Sequence, residues 1–157
     1  MRYFKLEEFA CRCGCDMPSE VKANLNALVE RVLDPVRERL GKAIVVNSGY
    51  RCAIRNMVVG GVPRSQHVLG EAADVRVESR SYGASEEMRN GNLEMARIIL
   101  ERDVFDQLIL EECDSKGRPM WVHVSWKRNG VNRREAFRKA EGCNEMERIK
   151  DVKRTDD

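Results

Sequence analysis

Apolar residues recur at Val21, Leu25, Leu28, Val32, Val36 and Leu40. Steps of three and four put them on one face of a helix over residues 19 to 40. Pro35 lies inside that pattern and predicts a kink, and Gly41 predicts the stop. A second periodic segment, "NLEMARIILER" at 92 to 102, predicts another main helix. Four short apolar runs predict strands: "AIVVN" (43 to 47), "AADVRV" (72 to 77), "FDQLILEE" (105 to 112) and "MWVHVSW" (120 to 126). The last two flank "CDSKGRP", whose Asp, Ser, Gly and Pro predict a hairpin. Residues 52 to 58 predict a helical turn and "SRSYGAS" a loop. From residue 129 onward the chain is charged and poor in apolar positions, which predicts a peripheral helix and a frayed tail. Helices come early and strands late, so the expected class is α+β with a small, mainly antiparallel sheet. Residues 1–128 would form the body of one domain, and 129–157 a peripheral part of it.

Composition narrows the partners. The chain has 157 residues, a length that suits one domain. Its 28 basic and 26 acidic residues leave a net charge of +2, which argues for neither nucleic acid nor a membrane surface. No apolar run approaches the roughly 18 residues of a membrane span. The start, "MRYFKLEEFACRCGC", lacks a continuous apolar signal core, so a leaderless, cytoplasmically made chain is expected. A substrate outside the membrane would then require another component to release the protein. In such a compartment Cys11, Cys13, Cys15, Cys52, Cys113 and Cys143 are expected as reduced thiols. The "CRCGC" spacing is tighter than that of usual zinc pairs. It reads first as small buried residues in an N-terminal turn, with a thiolate metal site as the alternative.

The candidate chemistry rests on two histidines, His67 and His123. Asp74 lies in an apolar run, where an unpaired carboxylate is costly and something positive must offset it. Alternation puts Trp121, His123 and Ser125 on one face of their strand. Two imidazoles and a carboxylate make a three-ligand set for Zn²⁺, with a fourth position open to water. Asp74 could equally pair with Arg51, Arg55 or Arg76, leaving two ordinary core histidines. Spacing alone leaves both readings open.

Ordered motifs tip the balance. The chain reads "VNSGYR", then Ser65-x-His67-x-x-Gly70-x-Ala72-x-Asp74, then "WVHVS". With "FACRCGC" (9 to 15) and "FDQLILE" (105 to 111), these resemble the zinc D-Ala-D-Ala carboxypeptidase family. That family includes the vancomycin-resistance D,D-dipeptidases and phage endolysin peptidases, and the resemblance is to its short, leaderless phage and prophage branch. It covers roughly residues 4 to 126. It implies a fold like the D,D-peptidases and the hedgehog signalling domain. It also implies one Zn²⁺ per chain on His67, Asp74 and His123. Arg51 would hold a substrate carboxylate or the developing oxyanion, a task that suits a planar guanidinium. Ser65 would hydrogen-bond near the ligands or the substrate, and Trp121 would wall the cleft. The substrate implied is a peptidoglycan stem peptide, cut by a monomer acting on the cell wall after release, or by a cytoplasmic dipeptidase.

One position departs from the family. The dipeptidase branch carries an acid three residues before the last histidine, and here that residue is Met120. The base must come from elsewhere. The neighbouring strand offers Glu111 and Glu112, expected within a residue of lying opposite His123. Glu111 matches the glutamate of "FDQLI-x-E" and is the expected base, with Glu112 as the alternative. Asp106 is a candidate partner for a zinc-bound imidazole, or equally for a nearby turn or helix end. Two rival functions remain. One is an Fe(II) oxygenase, whose jelly roll needs about eight strands, more than this chain offers. The other is a zinc-containing binding module of the same fold with no catalysis.

Overall fold

The computed structural model describes residues 1–80, 83 and 85–152. The long amphipathic segment forms α1 (Ser19–Leu28) and α2 (Asp34–Leu40), joined by a π-helical turn at Val29–Leu33. Pro35 sits in the first turn of α2, where no N–H is required. The proline ring would meet the Arg31 carbonyl in a continuous α-helix, and the wider turn relieves that conflict. Gly41, at φ 68°, ends α2 as its sequence position predicts.

The strands are β1 (Ile44–Ser48), β2 (Ala72–Val77), β3 (Gln107–Cys113), β4 (Trp121–Ser125), β5 (Glu135–Ala140) and β6 (Glu147–Ile149). They form one six-stranded sheet in the order β1-β2-β4-β3-β5-β6. All neighbours are antiparallel except β3 and β5. The architecture is therefore α+β with a mixed, mainly antiparallel sheet. Between strands lie two short helices, α3 (Ala53–Val58) and α4 (Gln66–Leu69), and the long α5 (Glu86–Arg102).

The core fills the space between α1, α2, α5 and one sheet face. Leu25, Leu28, Val29 and Leu33 meet Ala73, Val75, Leu108, Val122 and Val124, all fully buried. By alternation, Asp74, His123, Ile109, Glu111 and Trp121 lie on the opposite face. A one-residue slip would exchange the two sets, so core burial fixes the face that carries the polar groups.

Two expectations fail for identifiable reasons. The helix predicted from residue 92 begins at Glu86, behind a Ser85 cap whose Oγ accepts the Met88 N–H. Asn92 sits in that helix because its amide is used elsewhere. Its Oδ1 accepts the Val77 N–H at 2.7 Å, and its Nδ2 donates to the Pro119 and Met120 carbonyls. These tertiary bonds override a weak local propensity. The charged segment after 129 holds β5 and β6 rather than a helix. β5 lies parallel along β3, with Leu108 beside Ala136, and covers an otherwise open sheet edge. Its hairpin with β6 is pinned by exposed Arg138–Glu147 and Arg148–Glu135 pairs. Residues 81, 82 and 84 of the predicted "SRSYGAS" loop lie outside the described residues.

Candidate metal centre and active site

Strand register builds the centre. β2 pairs with β4 so that Asp74 and His123 are direct partners. Their side chains meet with His123 Nδ1 3.0 Å from Asp74 Oδ1. His67 arrives from α4, the single helical turn that leads into β2. Its Nε2 lies 3.3 Å from the same Asp74 oxygen. The donor atoms of His67, Asp74 and His123 lie within 4.8 Å of one another, close enough to share one ion. The two rings stand edge to face, 5.1 Å between centroids.

His67 is held from three sides. Its Nδ1 bonds the Gly49 carbonyl at 2.8 Å, which turns Nε2 toward Asp74. Its own carbonyl accepts the Arg51 N–H at 3.1 Å. The Ser65 Oγ accepts its N–H at 3.3 Å and caps α4, leaving the hydroxyl proton free to donate. Fixing the second nitrogen in this way is how a protein orients an imidazole ligand. Burial pushes the Asp74 carboxyl up, but the two imidazoles outweigh it and hold it well below the usual carboxylate range. The donor set fits a borderline-soft divalent ion: two imidazoles and one ionised carboxylate, with Asp74 also on the wall of a cleft.

Gly49 is required by close approach. A Cβ there would lie 2.6 Å from the Phe9 Cα and 2.7 Å from the Phe9 carbonyl oxygen. Gly49→Ala is expected to cost about 1–3 kcal/mol of stability, the range for overpacking a filled site. Urea unfolding followed by circular dichroism measures it.

Arg51 faces the same cleft, of about 390 Å³, whose wall includes Asp74, Tyr50, Arg12 and Arg55. Its Nε is buried with no hydrogen-bond partner. Burial pulls its guanidinium below the ordinary arginine range, with the Asp74 charge opposing. The cleft thus presents a cation with an unspent donor beside Asp74.

The two glutamates separate. Glu111 is the direct partner of Trp121, and Ile109, not a glutamate, stands opposite His123. The hairpin is centred on Lys116, so its register runs from Glu111 opposite Trp121 to Ile109 opposite His123, and both glutamates fall nearer the turn than expected. Glu111 still shares the His123 face, one diagonal step away, about 7–8 Å in an antiparallel pair. Its carboxylate lies 3.3 Å from Lys139 Nζ on β5. Glu112 takes φ 49° at a bulge, and its carboxylate accepts the Gly142 N–H. Trp121 borders a neighbouring depression with Asn47, Arg76 and Met120.

Asp106 bonds neither imidazole. It is fully buried and accepts hydrogen bonds from Gln66, Ser125 and the Arg133 backbone and guanidinium. Burial pushes its carboxyl up, and Arg133 more than offsets this, bringing it to about 2. Its task is to tie β3, β4 and α4 to the start of β5. The sequence reading missed Lys139 and the Gly49 carbonyl. Lys139 was hidden in the segment taken for a helix. The Gly49 carbonyl is a backbone group, and only the glycine in "NSGYR" marked a close approach.

In this α+β fold, His67 from α4 meets Asp74 and His123 of the sheet beside an arginine-bearing cleft, a donor set that suits a single metal ion with an open position. The chain belongs to the Peptidase M15 family, whose model matches residues 2–125. It is also similar to a zinc D-Ala-D-Ala carboxypeptidase of Streptomyces albus G, 38% identical over 79 residues. That match covers 46% of this chain and 31% of the relative, so the chain spans under a third of that protein's length. Among the described residues no helix is long and apolar enough to cross a membrane.

Proposed function

We propose that this protein is a zinc-dependent peptidase that removes a C-terminal residue from peptidoglycan stem peptides, with one catalytic zinc on His67, Asp74 and His123. The observation that carries the reading is Arg51, a half-buried guanidinium with an unpartnered Nε in a cleft that also contains Asp74. Such a group suits a free carboxylate at a fixed distance from the reacting bond. The name of the Streptomyces albus G relative, a zinc D-Ala-D-Ala carboxypeptidase, supports the same substrate end.

Zinc held by these three side chains supplies a Lewis acid for the scissile carbonyl and acidifies the attacking water. Glu111 takes the water's proton on a carboxylate oxygen and returns it to the leaving nitrogen. The Met120 N–H donates to the Glu111 carbonyl at 2.9 Å, so Glu111 adjoins the position where the dipeptidase branch has its acid. Lys139 restrains the Glu111 carboxylate. Arg51 binds the terminal carboxylate, Gly49 and Ser65 hold His67 in place, and Trp121 lines the neighbouring depression, where it can meet the rest of the peptide.

The deciding experiment is digestion of purified peptidoglycan and of a stem pentapeptide ending in D-Ala-D-Ala, with a chelated control, read by mass spectrometry. Release of free D-alanine that stops on chelation is the expected result. New amine termini inside the cross-bridges, with no free D-alanine, would replace this reading with an endolysin-type endopeptidase. No cleavage with zinc still bound would favour a binding module. In the active case, Arg51→Ala should raise KM about 10- to 100-fold, the loss of one charge-assisted contact, and spare kcat more than KM. Steady-state kinetics on the pentapeptide test this.

A further inference from the structure

Four of the six cysteines converge away from the His67–Asp74–His123 set. The Sγ atoms of Cys11, Cys13, Cys15 and Cys52 all lie within 4.8 Å of one another. Cys11 and Cys13 approach to 3.2 Å, and Cys13 and Cys52 to 3.5 Å. All four are free thiols. Cys13 and Cys15 are exposed, so they are not the small buried turn residues that the sequence suggested. Apolar burial therefore does not explain why four sulfurs meet here.

Distances select the occupant. A disulfide would bring two sulfurs to about 2.05 Å and leave the other two aside. One tetrahedral ion with metal–sulfur bonds of about 2.3 Å needs sulfurs about 3.8 Å apart, inside the observed spread. The backbone is arranged for the same end. Gly14, at φ 76°, reverses the chain so that Cys11, Cys13 and Cys15 face one point despite their tight spacing. The Cys52 N–H points at the Cys11 sulfur and the Arg55 N–H at the Cys52 sulfur, each at 3.4 Å. N–H donors of this kind stabilise thiolates bound to a metal.

We propose that Cys11, Cys13, Cys15 and Cys52 bind a second zinc ion in a closed, structural site that fastens the N-terminal segment to the loop carrying Arg51. Four thiolates leave no coordination position for water, which separates this site from a catalytic one. Each thiol releases a proton on binding, and the ion offsets two of the four resulting negative charges. The fastening acts where the cleft is built. Cys52 follows Arg51 directly, and the Tyr50 N–H donates to the Phe9 carbonyl at 2.8 Å. Arg12, next to Cys11, donates to the Asn47 carbonyl and lines the same cleft as Arg51. The ion thus joins two cleft walls that lie forty residues apart in the chain.

Metal analysis by mass spectrometry on the full chain, purified under reducing conditions without chelator, tests the proposal. Two zinc ions per chain are expected. Cys13→Ser/Cys15→Ser should retain one, and His67→Ala should also retain one. On the unmodified chain, an organomercurial should displace one zinc while the other stays bound. Cobalt substitution should give an intense sulfur-to-metal charge-transfer band that survives in His67→Ala. These two readouts hold even if the double cysteine variant fails to fold. One zinc per chain that His67→Ala abolishes would overturn the second site. So would six thiols that react freely in the zinc-saturated native protein. The zinc count does not depend on the peptidase reading: a protein that cleaves nothing would still carry the thiolate-bound ion.

Discussion

Glu111→Gln is expected to lower kcat about 10²- to 10⁴-fold, the contribution of a positioned general base. Zinc content and the thermal transition should stay close to the parent's. Glutamine has the same shape and can still face Lys139, but it cannot accept the water's proton. The measurement is kcat on the stem pentapeptide together with metal content. Glu112→Gln provides the contrast. Its carboxylate accepts the Gly142 N–H at a bulge, so the change should leave kcat within a factor of a few. If Glu111→Gln keeps full activity while Glu112→Gln loses it, the assignment of the base is reversed. If both keep it, the base lies on neither residue.

Asp74→Asn should weaken zinc binding by more than the roughly 10- to 100-fold that loss of an outer-shell partner costs, and abolish hydrolysis at ordinary zinc concentrations. Asparagine can preserve a hydrogen bond to the imidazoles, so the fold should survive. The charge that balances the ion is what disappears. Competition with a chromophoric chelator measures the affinity, and near-ultraviolet circular dichroism checks the packing. An Asp74→Asn protein with unchanged zinc affinity at the histidine centre would remove Asp74 from the ligand set. Removal of the ion by chelation should reproduce the loss of activity and should be reversed by added zinc.

Both predictions depend on pairings that differ in how visible they were along the chain. The class of fold was legible because strands and helices have different hydrophobic periods, and burial of one face enforces them. β2 was read with its bounds intact, and Gly41 marked the end of α2. His67, Asp74 and His123 were recognisable as chemical types, because an ionised carboxylate in an apolar strand demands a positive partner. The role of Asp106 stayed open between an imidazole and a nearby turn or helix end, since a carboxylate in the sequence does not reveal which of several guanidinium and amide donors will reach it.

Position was decided elsewhere. The sequence by itself determined the face of each strand and the kinds of side chain at the site. Only the tertiary structure decided that β4 lies between β2 and β3, which sets Asp74 against His123 and moves Glu111 to the diagonal. Register is a long-range choice made by core burial and turn geometry, and local periodicity does not encode it. The same holds for β5, whose charged residues form a strand because a neighbouring edge supplies the hydrogen bonds. It holds too for Cys52, which joins the cysteines of the N-terminal segment only because Gly49 lets the chain pass against Phe9.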